Sequence, residues 1–176
     1  MYLIWQPMTW KVFHMCALFY NEEYRDKYID FFDSFKTIIP CGICKRHFTQ
    51  NTAKSELSIE NNVNKEKIFN WTIDLHNLVN KMNKKKIWSH DEAREFYTKN
   101  EFDNNLIKLF LFQYIKHNFK RGPEKTEGLF KMVRSLAYLH PLKEKRDKLI
   151  DFSTKFDINR DNIKNWLIAF CIILKS

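Results

Sequence analysis

Glycine and proline are scarce in this chain, three and four among 176 residues. A fold with many tight turns needs them there, so a many-stranded β architecture is disfavoured, and runs of Lys, Glu, Asn and Leu favour helices. Cysteine is scarce too: four in a chain this long do not make a disulfide scaffold. Long apolar runs are missing. The longest, Trp166 to Leu174, has about half the length of a membrane-spanning helix, so no membrane span is expected. The first residues lack a basic segment followed by a long apolar one, so no secretory signal is expected either. These absences point to a soluble, cytoplasmic protein. Thiols there stay reduced, and a close cysteine pair serves redox chemistry or metal binding rather than acting as a passive staple.

Hydrophobic residues make up 44% of the chain and include sixteen Phe, ample material for one core. Thirty Lys and Arg face twenty-one Asp and Glu, a formal charge of +9. That balance suits nucleic acid, an anionic membrane or an acidic protein without choosing among them. The basic residues form no single dense stripe, so no nucleic-acid partner is expected. Residues 1–100 hold fifteen basic and twelve acidic side chains, and residues 101–176 hold fifteen and nine.

Helical periodicity runs through most of the chain. Trp10, Phe13, Ala17 and Tyr20 space a first helix over 9–20, with Thr9 as its N-cap. Tyr24, Tyr28, Phe31, Phe32 and Phe35 line a second over 22–39, which Pro40 ends. A short third helix covers 41–53, and the polar stretch 54–64 reads as loop. Ile68, Trp71, Leu75, Val79 and Met82 form the stripe of a fourth over 65–82, running into Lys84-Lys85-Lys86. Ser89 caps a fifth that carries Ala93, Phe96 and Tyr97. Four more are expected over 102–120, 124–139, 142–156 and 162–174, separated by Arg121-Gly122-Pro123, His140-Pro141 and the 157–161 segment.

The chemistry concentrates in Pro40-Cys41-Gly42-Ile43-Cys44-Lys45-Arg46-His47-Phe48, the only close cysteine pair. On a helix, positions i and i+3 share a face. A helix N-terminus and the basic residues behind it stabilise a thiolate, the species that exchanges disulfides. Zinc is the main competitor, but a structural site wants four ligands. Cys16 and Cys171 are isolated, and the six histidines lack finger spacing, so no metal is expected. A thioredoxin-like site would follow a strand, and the segment before Cys41 reads as helix. Trp10, His14 and Trp71 taken singly read as core, and Lys84–Lys86 as a solvated helix end.

Three segments together carry a resemblance: Trp10-x3-His14, then Pro40-Cys41-x2-Cys44-x2-His47-Phe48, then Trp71-x4-His76-Asn77-x2-Asn80 with lysines following. Over roughly residues 5–100 the chain resembles the Erv/ALR family of FAD-dependent sulfhydryl oxidases. The resemblance implies an all-α fold, a four-helix bundle plus a short fifth helix binding FAD in residues 1–100, followed by a helical C-terminal extension over 101–176. It implies that Cys41 meets a dithiol protein substrate or a redox carrier protein. Cys44 would then face FAD, and electrons would pass to O2 to give H2O2. Trp10, His14, His47, His76, Asn77, Asn80, Lys81, Lys84, Lys85, Trp88 and Tyr97 fall where the family contacts the cofactor. Family members usually dimerise through the first two helices, so a homodimer is expected.

The chain departs from the family in three ways. Ile39 stands where many members have an aromatic residue. Ile73 and Ser89 or His90 stand near the place of a further disulfide, and no shuttle cysteine pair exists. The extension resembles nothing recognised and reads as a structural annex for packing and dimer support, with a docking surface for a partner as the alternative. The Asn- and Lys-rich style is similar to oxidases encoded by large DNA viruses, for which host cytoplasm or virion is the expected setting. The alternative reading is a non-enzymatic, basic helical binding or dimerisation module with a structural or vestigial cysteine pair.

Overall fold

The computed structural model describes residues 5–99, 102–119 and 121–175. These form ten α-helices and two short 3-10 turns, with no strand among the described residues. None of these helices is long and apolar enough to cross a membrane.

Helix α1 spans Trp5–Leu18, which corrects the expected start at Thr9. Pro7 lies in the first turn, where its missing N–H leaves no intrahelical bond unmade, so the helix starts ahead of it. Thr9 is buried inside α1. Its hydroxyl reaches the Trp5 carbonyl at 2.7 Å and the Tyr114 hydroxyl at 2.9 Å.

Asn21 caps a 3-10 turn over Glu22–Tyr24, which leads into α2, Arg25–Ile38. Tyr28, Phe31, Phe32, Phe35 and Ile38 recur every three or four residues on α2 and are fully buried. Phe13 of α1 drives into this stripe, edge-on to Phe35 at 4.6 Å and to Phe32 at 5.0 Å between ring centres. Such pairs add about 0.5–1.5 kcal/mol each beyond the area they bury.

Helices α3 (Gly42–Thr52), α5 (Ile68–Met82) and α6 (His90–Thr98) complete the expected five. The stretch 54–64 is more ordered than a loop. It holds a 3-10 turn, Ser55–Leu57, and a one-turn helix α4, Ile59–Asn62. Ile59 and Val63 anchor it in the core, while the Asn61 and Asn62 amides bond the Ser55, Glu56 and Ser58 carbonyls. Asn64 Oδ1 accepts the Glu66 and Lys67 amides, which delays α5 to Ile68.

The extension forms α7 (Asn104–Asn118), α8 (Pro123–Leu136), α9 (Lys143–Lys155) and α10 (Ile163–Lys175), its ends within one to three residues of those expected. Helix α8 lies along α2 in the most extensive helix pairing described, and α7 lies along α1. The α2–α8 approach is close enough that a Cβ on Gly128 would sit 2.1 Å from Thr37 Oγ1. The Asn118 amide bonds the Ile38 carbonyl at 2.9 Å, and Lys131 pairs with Asp30 and Asp33. Core residues of both regions, from Trp5 to Leu174, form one hydrophobic cluster. Helices α1 and α2, named for a homodimer contact, each give one side to α7 or α8 of the same chain.

Cys16 and Cys171 are buried free thiols, as the apolar faces of their helices imply. Burial pushes both upward, so neither is a ready nucleophile.

Candidate redox site

Pro40 ends α2 with an extended backbone, and α3 starts within three residues. Cys41 takes the N-cap position, and its Sγ accepts the Cys44 amide at 3.2 Å. Cys44 is three residues on, in the first turn. The two cysteines form a disulfide with Cα atoms 5.2 Å apart. Both sulfurs therefore sit at a helix N-terminus, where unpaired amides and the dipole favour negative charge.

Cys44 lines a cavity of about 280 Å³ walled by α1, α3 and α5, and Cys41 lies outside that lining. Trp10 and His47, both expected cofactor contacts, share the wall with Cys44, as does Lys85. Phe13, Phe48, Leu75, Val79 and Met82 supply the apolar remainder. Gln6 also lines the cavity, and its amide Nε2 donates to Cys44 Sγ at 3.4 Å. Sequence reading missed Gln6. The available signal was its place one turn ahead of Trp10, at i and i+4 on one helix face. Trp5 lines the cavity as well, and its buried indole N–H has no partner among the described residues.

Behind this wall runs a chain of rings. Trp10 stacks on His76 at 4.4 Å with planes 5° apart. His76 stacks on His14 at 5.2 Å, and His14 meets Tyr97 at 5.0 Å. Tyr97, Phe96 and Trp88 continue the series toward the start of α6. Trp10, His14, His76, Tyr97 and Trp88 were all expected from the sequence; Phe96 and Phe69, which touch Tyr97, are additional.

The hydrogen bonds assign the proton positions. The Thr72 hydroxyl gives its proton to the Phe69 carbonyl at 2.7 Å, so its oxygen accepts from His14 Nδ1 at 2.9 Å. His14 Nε2 is then bare and accepts from His76 Nδ1 at 3.0 Å. That leaves His76 Nε2 as the terminal acceptor. Burial lowers both histidines: His14 well below its ordinary value and His76 to about 4, with Lys85 adding to the effect on His76. The pair is neutral at physiological pH. Burial also raises the Tyr97 phenol to about 12, so it too is neutral.

Asn77 and Asn80 do something other than point into the cavity. The Asn77 amide pairs with both backbone groups of Trp88, at 2.8 and 3.0 Å, and Asn80 Nδ2 donates to the Lys86 carbonyl at 3.0 Å. They hold the 83–89 loop against α5. The loop leaves α5 through a Schellman turn: Lys85 N bonds the Asn80 carbonyl at 2.9 Å, and Lys84 takes a left-handed φ of 53°. That reversal brings Lys85 to the cavity, while Lys81 and Lys84 stay exposed outside its lining. Ser89 caps α6 in a capping box with Glu92. Among the described residues, no group of three or more His, Cys, Asp and Glu could hold a metal ion.

A helical bundle that seats one sulfur of a Cys-x-x-Cys disulfide in the wall of an aromatic-lined cavity has the make-up of a thiol–disulfide redox domain. Comparison with known proteins specifies it further: the chain belongs to the Erv1/Alr family, whose profile matches residues 7–103. It is similar to a probable FAD-linked sulfhydryl oxidase of Acanthamoeba polyphaga mimivirus, with 35% identity over 95 residues, 52% of this chain and 66% of that protein. It is also similar to an FAD-linked sulfhydryl oxidase of African swine fever virus, with 32% identity over 99 residues, 54% of this chain and 81% of that protein. The chain thus spans just under two thirds of the mimivirus relative. No solved structure matches it.

Proposed function

We propose that the protein is an FAD-linked sulfhydryl oxidase that makes disulfides in dithiol proteins. The observation that carries this reading is the placement of Cys44 in the cavity wall, with its partner Cys41 outside it. The viral relatives' names supply the cofactor and reaction class, and the residues fit both. The flat Trp10–His76 face suits a planar heterocycle, and the partnerless Trp5 indole N–H suits its polar edge. Trp10, His14, His47 and His76 would hold the flavin end, Trp88 and Tyr97 the adenine side, and Lys81, Lys84 and Lys85 the phosphates. Asn77 and Asn80 contribute by holding the loop that carries Lys84 and Lys85. When bound, FAD supplies a two-electron acceptor that passes electrons to O2 to give H2O2.

The protein's own residues carry out the exchange. A substrate thiolate attacks Cys41 Sγ, the Cys41–Cys44 bond breaks, and Cys44 leaves as a thiolate in the cavity wall. Gln6 Nε2, 3.4 Å away, donates to it. The second substrate thiolate then attacks the mixed disulfide and releases Cys41 as a thiolate. The substrate loses two electrons, and the cysteine pair gains them. The N-terminus of α3 stabilises both thiolates. A separate redox carrier could deliver the dithiol in place of the final substrate. A cytoplasmic setting, in host cell or virion, suits an enzyme that makes disulfides where thiols stay reduced.

The test is a visible spectrum of the purified protein in air, before and after a dithiol is added. A band near ~450 nm that bleaches and recovers as oxygen is consumed is expected. Cys44→Ser should keep the band and lose turnover. A protein that takes up no flavin from excess FAD refutes the reading.

A further inference from the structure

Basic residues without acidic neighbours in sequence surround the redox site. Three acid-free stretches, residues 1–21, 34–55 and 75–90, contain every residue that lines the cavity. They hold nine Lys and Arg and not one Asp or Glu. Outside them the chain has twenty-one residues of each sign.

Little within the fold neutralises the nine bases. Lys36 pairs with Asp33, and Lys86 with Glu92. The other seven make no ion pair with a described residue. Of the five acids that border these stretches, Asp33 also holds Lys131, and Asp74 bonds His90 at 2.7 Å. Two phosphates of bound FAD would offset only part of the surplus. Lys45 and Arg46 directly follow Cys44, and Lys11 follows Trp10, so charge flanks the reactive sulfur as well as any phosphate site. Amid this charge, two apolar side chains of the cavity lining stand open to solvent, Ile43 at 63% exposure and Met82 at 53%.

We propose that the substrates of this site are acidic dithiol proteins: a cysteine pair flanked by Asp or Glu, with an apolar residue that covers Ile43 and Met82. The inference rests on the oxidase reading above and names its substrate class. Such a basic face raises the encounter rate of an acidic partner by roughly 10- to 1,000-fold at low salt. It repels a basic one, and salt screens both effects. A nucleic acid would also be drawn to the charge. However, it offers no thiolate to the disulfide at the centre of the face and would cover Cys41, so a protein is the favoured occupant.

Two synthetic peptides decide the matter, each with the same Cys-Gly-His-Cys centre, one flanked by glutamates and one by lysines. Initial oxygen uptake by the FAD-loaded protein is measured with each and with dithiothreitol, over a salt series. The glutamate peptide should be oxidised at least about tenfold faster at low ionic strength, and the ratio should approach one at high salt. This preference opposes intrinsic reactivity, because flanking lysines lower a thiol pKa and flanking glutamates raise it. Lys45→Glu/Arg46→Glu should shrink or reverse the ratio. Taken within one enzyme, the ratio cancels any change in the reactivity of its own cysteines.

Equal rates at low salt, or a preference that ignores salt, overturn the proposal. So does a single-stranded oligonucleotide that binds the face while neither peptide is preferred. Failure to oxidise dithiothreitol strikes the oxidase reading instead. Affinities of the same peptides with serine for cysteine then decide the charge preference on their own.

Discussion

Residues 5–99 and 102–175 are made of the same material, amphipathic helices rich in Phe and Trp, and they treat their polar groups differently. In the extension, three ion pairs run along α9, Lys143 with Asp147, Lys148 with Glu144 and Lys155 with Asp151. Its rings pack inward, with Trp166 against Phe152 and Phe170, and its indole N–H bonds the Phe156 carbonyl. In the first region, lysines around the cavity stand unpaired, an indole N–H has no partner, and a histidine chain ends on a bare nitrogen. Both regions keep buried polar atoms without a partner, Trp5 Nε1 and Tyr20 Oη in the first and Asn118 Oδ1, Arg146 Nε and Ser153 Oγ in the extension; the first differs in placing one of them, Trp5, in the wall of a cavity beside the unpaired Lys85. The extension packs α7 on α1 and α8 on α2 within one shared core.

That comparison breaks most readily at the join. Gly128→Ala places a methyl group against Thr37 and Ile38, where the helices cannot part without opening the core. It should lower unfolding free energy by about 1–3 kcal/mol, read as a fall in urea midpoint. Because both regions share one core, native and variant chains should each melt in a single transition. Two separate transitions would make the extension an independent body.

Acid probes both regions at once. His76 and His140 are both held at about 4 by burial, and His14 well below its ordinary value. Each folded value lies below the unfolded one of about 6.5. Between the two, the unfolded chain binds more protons, so stability is complete above pH ~6.5 and falls as pH drops toward ~4. Chemical denaturation across that range should show a declining midpoint, and His76→Gln should flatten the decline. A midpoint constant from pH 7 to pH 4 would contradict the neutral histidine chain.

Smaller effects sharpen the site itself. Gln6→Leu keeps the side-chain volume and removes the donor to Cys44 Sγ. The reduced protein's Cys44 should then alkylate several-fold more slowly at neutral pH, in line with loss of a hydrogen bond to a charged group worth about 1.5–3 kcal/mol, while the melting midpoint stays close to native. An unchanged alkylation rate would reduce Gln6 to packing. Lys84→Gly relieves a left-handed backbone in a non-glycine residue and should stabilise the fold by up to about 1 kcal/mol. A weaker flavin affinity in the same variant would show that the strained lysine is kept for the ligand.

Much of this was legible in the residues. Heptad-like apolar spacing located nine of the ten helices, and the one-turn α4 escaped because four residues are too few for a period. Cys41, Cys44, Trp10, His14, His76, Trp88 and Tyr97 were named from order and interval, and the fold gathers them. Thr9 was misassigned, because a hydroxyl ahead of an apolar stripe looks like a cap whether it faces solvent or lies buried beside Tyr114. The asparagines were recognised, but their partners lie eleven and six residues on, in a loop whose path periodicity does not describe.

The sequence by itself determined the helical class, the redox pair at a helix start and the bases that follow it without acidic neighbours, since composition, spacing and local backbone preference act over a few residues. Only the tertiary structure decided which sulfur enters the cavity, how the two histidines share their protons and where the extension packs. Those depend on contacts between residues 38 to 105 positions apart, and close packing, not local propensity, selects them.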